Sequence, residues 1–210
     1  MELKTILYHT DGLRYLALGD SYTIAEGEEY TQSYPSLLVK ALQQSGLVFE
    51  KQTTLAVTGW RTDQLLEAVD RQQWPEKYDL VSLLIGVNNQ YQSRSLDEYR
   101  TEFERLLQKA IGLAGGKVQK VFVLSIPDYG VTPFAGPSGK EKSASLEEFN
   151  KAAAALCRNY GVLFLDITPI SRYAESDSEL LVADLLHPSG EMYALWVEHI
   201  YPAVRSLLAN

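Results

Sequence analysis

Five short apolar runs separated by segments of helical spacing constrain this chain more than any other feature. The runs are Tyr15–Leu18, Phe49–Val57, Asp79–Ile85, Val121–Ser125 and Val162–Asp166. Asp79–Ile85 is a near-continuous apolar run, broken after Asp79 only by Ser82, of the kind found in strands buried on both faces. Phe49–Val57 is less apolar and reads as lying near an edge. The intervening segments have a different period. Tyr34–Gln44 reads as a helix closed by Gly46. In Thr62–Arg71 the residues Leu65, Leu66 and Val69 share one side. Ser95 with Glu98 forms a capping box, followed by Tyr99, Phe103, Leu106, Leu107 and Ala110 on one face, and that helix stops near Gly115-Gly116. Ser145 with Glu148 predicts a further helix start, running to about Tyr160. The last helix is expected from Ser189 to about Leu208, bent or interrupted at Pro202. Between the fourth strand and the Ser145 helix, Pro127–Lys140 reads as a long loop rich in Pro and Gly. Strand and helix in alternation argue for parallel βαβ units in a doubly wound three-layer sandwich.

In such sheets ligands bind beyond the carboxyl ends of the strands. Ser21 follows the first strand, Gly59 the second and Asn88 the third, so topology alone brings three distant positions to one edge. A serine there is suited to nucleophilic chemistry if a base can take its proton and a third group orients the base. The chain has three histidines, His9, His187 and His199. His187 lies in ADLLHP at the start of the last helix, three residues after Asp184. That spacing lets the carboxylate meet Nδ1 and leaves Nε2 for Ser21. His199 falls inside the last helix, and His9 has no evident partner. Asp166, at the end of the fifth strand, is the competing orienting acid. Attack on a carbonyl also requires donors fixed in advance for the developing oxyanion. The Ser21 and Gly59 amides and the Asn88 side chain are available for this.

Four blocks, Gly19-Asp20-Ser21-Tyr22, Gly59 in AVTGWRTDQLL, Gly86-Val87-Asn88-Asn89 and Asp184-Leu185-Leu186-His187-Pro188, resemble in order and spacing the SGNH or GDSL esterase/lipase hydrolases over nearly the whole chain. The resemblance implies a flavodoxin-like α/β/α sandwich with strand order 2-1-3-4-5. It implies Ser21 as nucleophile, His187 as general base and then acid, and Asp184 as the orienting carboxylate. The oxyanion hole it implies is Ser21 N–H, Gly59 N–H and the Asn88 side chain. Tyr22 stands where the family name has leucine, and Asn89 where the third block commonly has aspartate. Both departures bear on pocket shape and on the hydrogen bonds around Asn88.

Each block by itself has a plainer reading. Gly-Asp-Ser is an ordinary turn sequence, Asn88 and Asn89 suit turns, and DLLHP can simply cap a helix. Gly59 can serve backbone freedom alone. Four blocks in order, each just after a strand or before a helix, weigh against those readings. Asp20 is expected to hold the turn by accepting backbone N–H bonds, and Asn89 to brace its loop. Tyr22, Trp60, Asn89, Tyr91, Tyr129 and Phe134 are the candidates for the substrate pocket, although aromatic residues there can equally form a small core of their own.

With 210 residues, 46% of them apolar and 22% charged, the chain reads as one globular domain spanning residues 1–210. A formal charge of −8 disfavours nucleic acid and anionic lipid as partners. Cys157, the single cysteine, lies on the buried side of a predicted helix, which suits packing. No apolar stretch approaches the roughly 20 residues needed to span a bilayer. The opening MELKTILYHTDGLRY lacks the pattern of a secretory signal, so the sequence as it stands reads as cytoplasmic, with export open to a form carrying a leader. No phosphate-cradling G-x-G-x-x-G or P-loop follows the first strand, which weighs against a nucleotide-binding module. No H-E-x-x-H or Cys/His cluster points to a metal. The expectation is a cofactor-independent serine esterase acting on a small-molecule, glycan or lipid ester. Short acyl esters such as acetyl esters of carbohydrates are favoured by the absence of a long apolar lid. Longer acyl chains of lysophospholipids or thioesters are the alternative, and a non-catalytic carbohydrate- or protein-binding module is the remaining rival.

Overall fold

The computed structural model describes residues 12–74 and 77–209; His9 lies outside them. Five strands, β1 (Leu13–Gly19), β2 (Phe49–Ala56), β3 (Leu80–Leu84), β4 (Val121–Leu124) and β5 (Leu163–Leu165), form one parallel sheet in the order β2-β1-β3-β4-β5. This is the order implied by the resemblance, with β2 at an edge. β1, β3 and β4 occupy the middle, and their residues from Tyr15, Leu80 and Val121 onward are almost wholly buried. Continuous apolar runs are what a strand covered on both faces requires.

The longer helices are α2 (Tyr34–Gln44), α3 (Thr62–Arg71), α5 (Leu96–Leu113), α6 (Gly139–Tyr160) and α8 (Gly190–Leu207); α1 (Ser21–Ile24), α4 (Val87–Tyr91) and α7 (Thr168–Ser171) are single turns. α2 packs on α8, while α3 packs on α5 and α5 on α6. The faces they bury are those read from the spacing: Leu65, Leu66 and Val69 in α3, and Tyr99, Phe103, Leu106, Leu107 and Ala110 in α5. Ser95 caps α5 by accepting the Glu98 N–H. Cys157 is buried inside α6, and burial pushes its thiol up to about 12. Such a thiol stays protonated and unreactive at neutral pH.

Two helix expectations need correction. α6 begins at Gly139, a turn and a half before Ser145, and short 3-10 turns at Tyr129–Val131 and Pro133–Ser138 occupy most of the expected loop. The early start is held by tertiary bonds: Lys142 Nζ donates to the Ala135 carbonyl and Ser143 Oγ to Asp128 Oδ1, each at 2.7 Å. Long-range partners of this kind override local composition. α8 runs through Pro202 to Leu207 without interruption.

Register aligns the functional loops. Gly19 at the end of β1 pairs with Ala56 of β2 on one side and Leu84 of β3 on the other. The chain therefore leaves three neighbouring strands at one level, two to four residues before Ser21, Gly59 and Asn88.

Candidate active site

Ser21 opens α1 directly after the central strand, and its position is set by what surrounds Gly19 and Asp20. A Cβ on Gly19 would lie 2.5 Å from the Leu84 carbonyl oxygen and 2.0 Å from Thr23 Oγ1, so only glycine lets the turn sit this deep. Asp20 is the N-cap, with Oδ1 accepting the Tyr22 N–H at 3.1 Å, the turn-holding role expected of it. Its other oxygen has no partner among the described residues, and burial raises the carboxyl to about 8. Asp20 is thus mostly neutral at pH 7. Ser21 itself is 4% exposed.

The partner loop is a tight hairpin. Val182 N–H donates to the His187 carbonyl and Leu185 N–H to the Val182 carbonyl, each at 2.9 Å, with Leu185 in the left-handed region at φ 59°. Asp184 Oδ1 accepts the Leu186 and His187 amides at 2.8 and 2.9 Å. Its Oδ2 lies 2.6 Å from His187 Nδ1, and His187 Nε2 lies 3.0 Å from Ser21 Oγ. Partial burial pulls the Asp184 carboxyl upward, but the bonds from the His187 ring and the two amides outweigh it and hold the group below the usual carboxylate value. An ionised carboxylate only accepts, so Nδ1 carries the ring proton. The Nε2 lone pair then faces Ser21, whose hydroxyl donates to it. Asp166 is not in this arrangement: its Oδ1 accepts the Thr168 amide, and it lines a separate depression with Glu147 and Arg172. His199 is exposed on α8.

Three donors border the Ser21 hydroxyl's cavity. The Ser21 and Gly59 N–H groups have no partner among the described residues. Gly59 has φ 83° with open space where a side chain would point, so its requirement for glycine is conformational. Asn88 Nδ2 donates one hydrogen to the Trp60 carbonyl at 3.0 Å, which leaves its second hydrogen for the cavity. The cavity measures about 190 Å³. Ser21, Tyr22, Gly59, Asn88, Tyr91, Tyr129, Phe134 and His187 line it, as do Thr58, Val87 and Leu186.

Trp60 and Asn89, expected in the pocket wall, lie outside it. Trp60 packs against the core and contributes its carbonyl. Asn89 is fully buried, with Oδ1 accepting the Thr62 amide and Nδ2 donating to Thr62 Oγ1, so it ties α4 to the start of α3. The walls that sequence reasoning missed, Thr58, Val87 and Leu186, are each adjacent to a residue it singled out. That adjacency was the signal available. Among the described residues no group of three or more His, Cys, Asp or Glu side chains is placed to hold a metal ion.

The model of the GDSL-like lipase/acylhydrolase family matches residues 17–195, a span that contains all four blocks. The chain belongs to this family. It is accordingly a carboxylic ester hydrolase of the GDSL type. No curated protein sequence matches it. Solved structures of GDSL-type and related enzymes share its fold. The lipase/acylhydrolase from Enterococcus faecalis superposes with a TM-score of 0.71 at 21% identity, covering 92% of this chain and 96% of that one. An acetyl-xylooligosaccharide esterase, Axe2, from Geobacillus Stearmophilus gives 0.72 at 18%, covering 92% and 94%. The psychrotrophic esterase EstA from Pseudoalteromonas sp. gives 0.70 at 16%, covering 94% and 99%. None of the helices among the described residues is long and apolar enough to cross a membrane.

Proposed function

We propose that this GDSL-family hydrolase cleaves short-acyl carboxylic esters through an acyl-enzyme on Ser21. The observation that carries the reading is the chain Asp184–His187–Ser21, with links of 2.6 and 3.0 Å, opening onto the cavity. As Ser21 Oγ bonds to the ester carbon, its proton passes to His187 Nε2 and the carbonyl π electrons move onto oxygen. The Ser21 and Gly59 amides and Asn88 Nδ2 receive that oxyanion. Asp184 steadies the imidazolium without itself taking the proton. Collapse of the tetrahedral intermediate expels the alcohol, which takes the proton from His187. Water then repeats the sequence on the acyl-enzyme: His187 accepts its proton, and Ser21 leaves with that proton restored.

The size of the cavity favours short acyl groups. A protein cavity of about 150 Å³ accommodates benzene, so about 190 Å³ suits a ring or a chain of a few carbons. The alternative of longer acyl chains draws on one feature, the half-exposed Tyr91, Phe134 and Leu185 at or beside the mouth, along which a chain can extend. Hydrolysis of p-nitrophenyl esters of increasing acyl length separates the two, with Ser21→Ala as the blank. The short-acyl reading expects a Ser21-dependent rate that falls beyond butyryl. A rate that climbs with chain length transfers the assignment to long acyl groups. Failure of a fluorophosphonate to label Ser21, together with no Ser21-dependent rate, removes the nucleophile assignment.

A further inference from the structure

Tyr22, which replaces the leucine of the family's first block, is built into the site in a way an aliphatic residue cannot match. Its ring lies 5.5 Å from the His187 ring, tilted by 57°. Trp196 of α8 lies 6.4 Å from the same ring, and Tyr193 packs edge-on against Trp196 at 4.9 Å, so α8 supplies an aromatic neighbour that confines the Tyr22 ring. Tyr22 is 2% exposed and His187 8%. Both rings are buried side chains of the cavity wall. Tyr22 also forms part of the partition between the active-site cavity and a small void behind it, lined in part by Asp128, Thr132 and Ser171.

We propose that Tyr22 is a positioning residue for the hydrolysis: its ring stabilises the protonated form of His187, so that the imidazole takes the Ser21 proton more readily than it would beside leucine. This rests on the assignment of His187 as the base. A cation over the face of an aromatic ring and within about 6 Å of its centre is attracted by the ring's quadrupole, and the attraction grows when water is excluded. Several titratable groups bear on this imidazole or on the ring beside it. Asp184 contributes from its own hairpin. Asp20 and Tyr22 come from the β1–α1 turn, and Asp128 and Tyr129 from the segment after β4. Of the three carboxylates, Asp184 bonds the imidazole directly. Asp128 is already engaged by Arg172, Ser143 and the Gly130 amide. Asp20 is mostly neutral at pH 7.

The test is the His187 imidazole C2–H titration, followed by NMR in the whole protein and assigned with His187→Gln, alongside the pH profile of kcat/KM. Tyr22→Leu is expected to lower the His187 midpoint and the acid limb by about one pH unit, whereas Tyr22→Phe leaves both in place. The direction is diagnostic. Looser packing alone admits water, which favours the charged imidazole and moves the midpoint upward. An unmoved or raised midpoint in Tyr22→Leu overturns the proposal, as does an equal fall in Tyr22→Phe, which assigns the effect to the hydroxyl. If Tyr22→Leu does not fold, Tyr22→Met is read by the same criteria. The NMR midpoint needs no turnover, so this proposal and the esterase assignment fail separately.

Discussion

The two halves of the site are held in opposite ways. Ser21 is positioned by the core: it follows a strand paired on both sides, after a glycine with no room for a methyl group. His187 and Asp184 are positioned by a short hairpin whose tip, from Ala183 to Leu185, is exposed, and whose geometry comes from its own backbone and carboxylate hydrogen bonds. Damage to the first half should therefore appear as lost stability, and damage to the second as lost turnover in a folded protein.

Asp184→Asn presses this contrast hardest. The amide keeps an oxygen for the Leu186 and His187 amides, so the hairpin persists, but it no longer selects the tautomer with the proton on Nδ1. We expect kcat to fall by about 10³- to 10⁴-fold, with thermal unfolding shifted by no more than about 2 °C, as for a surface substitution. A variant that unfolds instead would place the hairpin within the core's cooperative unit.

Gly19→Ala is the converse. Thr23 can turn its hydroxyl away from the new methyl, but its Cβ at 2.9 Å stays in place, and the Leu84 carbonyl at 2.5 Å is sheet backbone and cannot yield. Overpacking of this kind costs about 3 kcal/mol, measurable as a lowered urea midpoint with an unchanged slope. A variant as stable as the parent would show that the β1–α1 turn yields more easily than its packing indicates.

Asp20 gives the core half a pH signature. Its folded-state pKa of about 8 exceeds the ordinary 3.8, so between these values the folded chain holds a proton that the unfolded chain releases. Its contribution to stability is full below about pH 4 and declines as pH rises toward 8, by up to about 1.4 kcal/mol per pH unit. Asp20→Asn keeps the acceptor for the Tyr22 amide and removes the titration. Urea unfolding at pH 5 and pH 8 should therefore differ less in the variant than in the parent; an equal difference would assign the slope to other groups.

The same division explains what was legible in the sequence. The edge position of β2 and the buried faces of α3 and α5 follow from patterns that burial imposes on every residue of an element, whereas the strand order was legible only through the family resemblance. Ser21, Gly59 and Asn88 were legible as a set because each directly follows a strand end. The start of α6 was not, since the Ser145–Glu148 capping pattern pointed to a later start, whereas the first turns from Gly139 are tied by Lys142 and Ser143 to the Ala135 carbonyl and Asp128. Trp60 and Asn89 were misplaced for a related reason. Adjacency brings a residue to the site, but the direction its side chain takes is settled by partners such as Thr62.

Leu185 supplies the smallest predicted effect and the finest test of the hairpin. It adopts φ 59° with 43% of its surface exposed, a conformation that glycine enters without strain. Relief of the left-handed strain is worth about 1 kcal/mol, and the greater freedom of glycine in the unfolded chain withdraws about as much. Leu185→Gly should thus lie within about 0.5 kcal/mol of the parent in stability, whereas Gly19→Ala, a smaller exchange in the other half, does not. If the hairpin's hydrogen bonds alone set the geometry, kcat for a short p-nitrophenyl ester stays within about threefold. A tenfold loss without loss of stability would mean that the leucine side chain itself, placed beside Phe134 by the bond from the Phe134 amide to the Leu185 carbonyl, helps to hold His187 against Ser21.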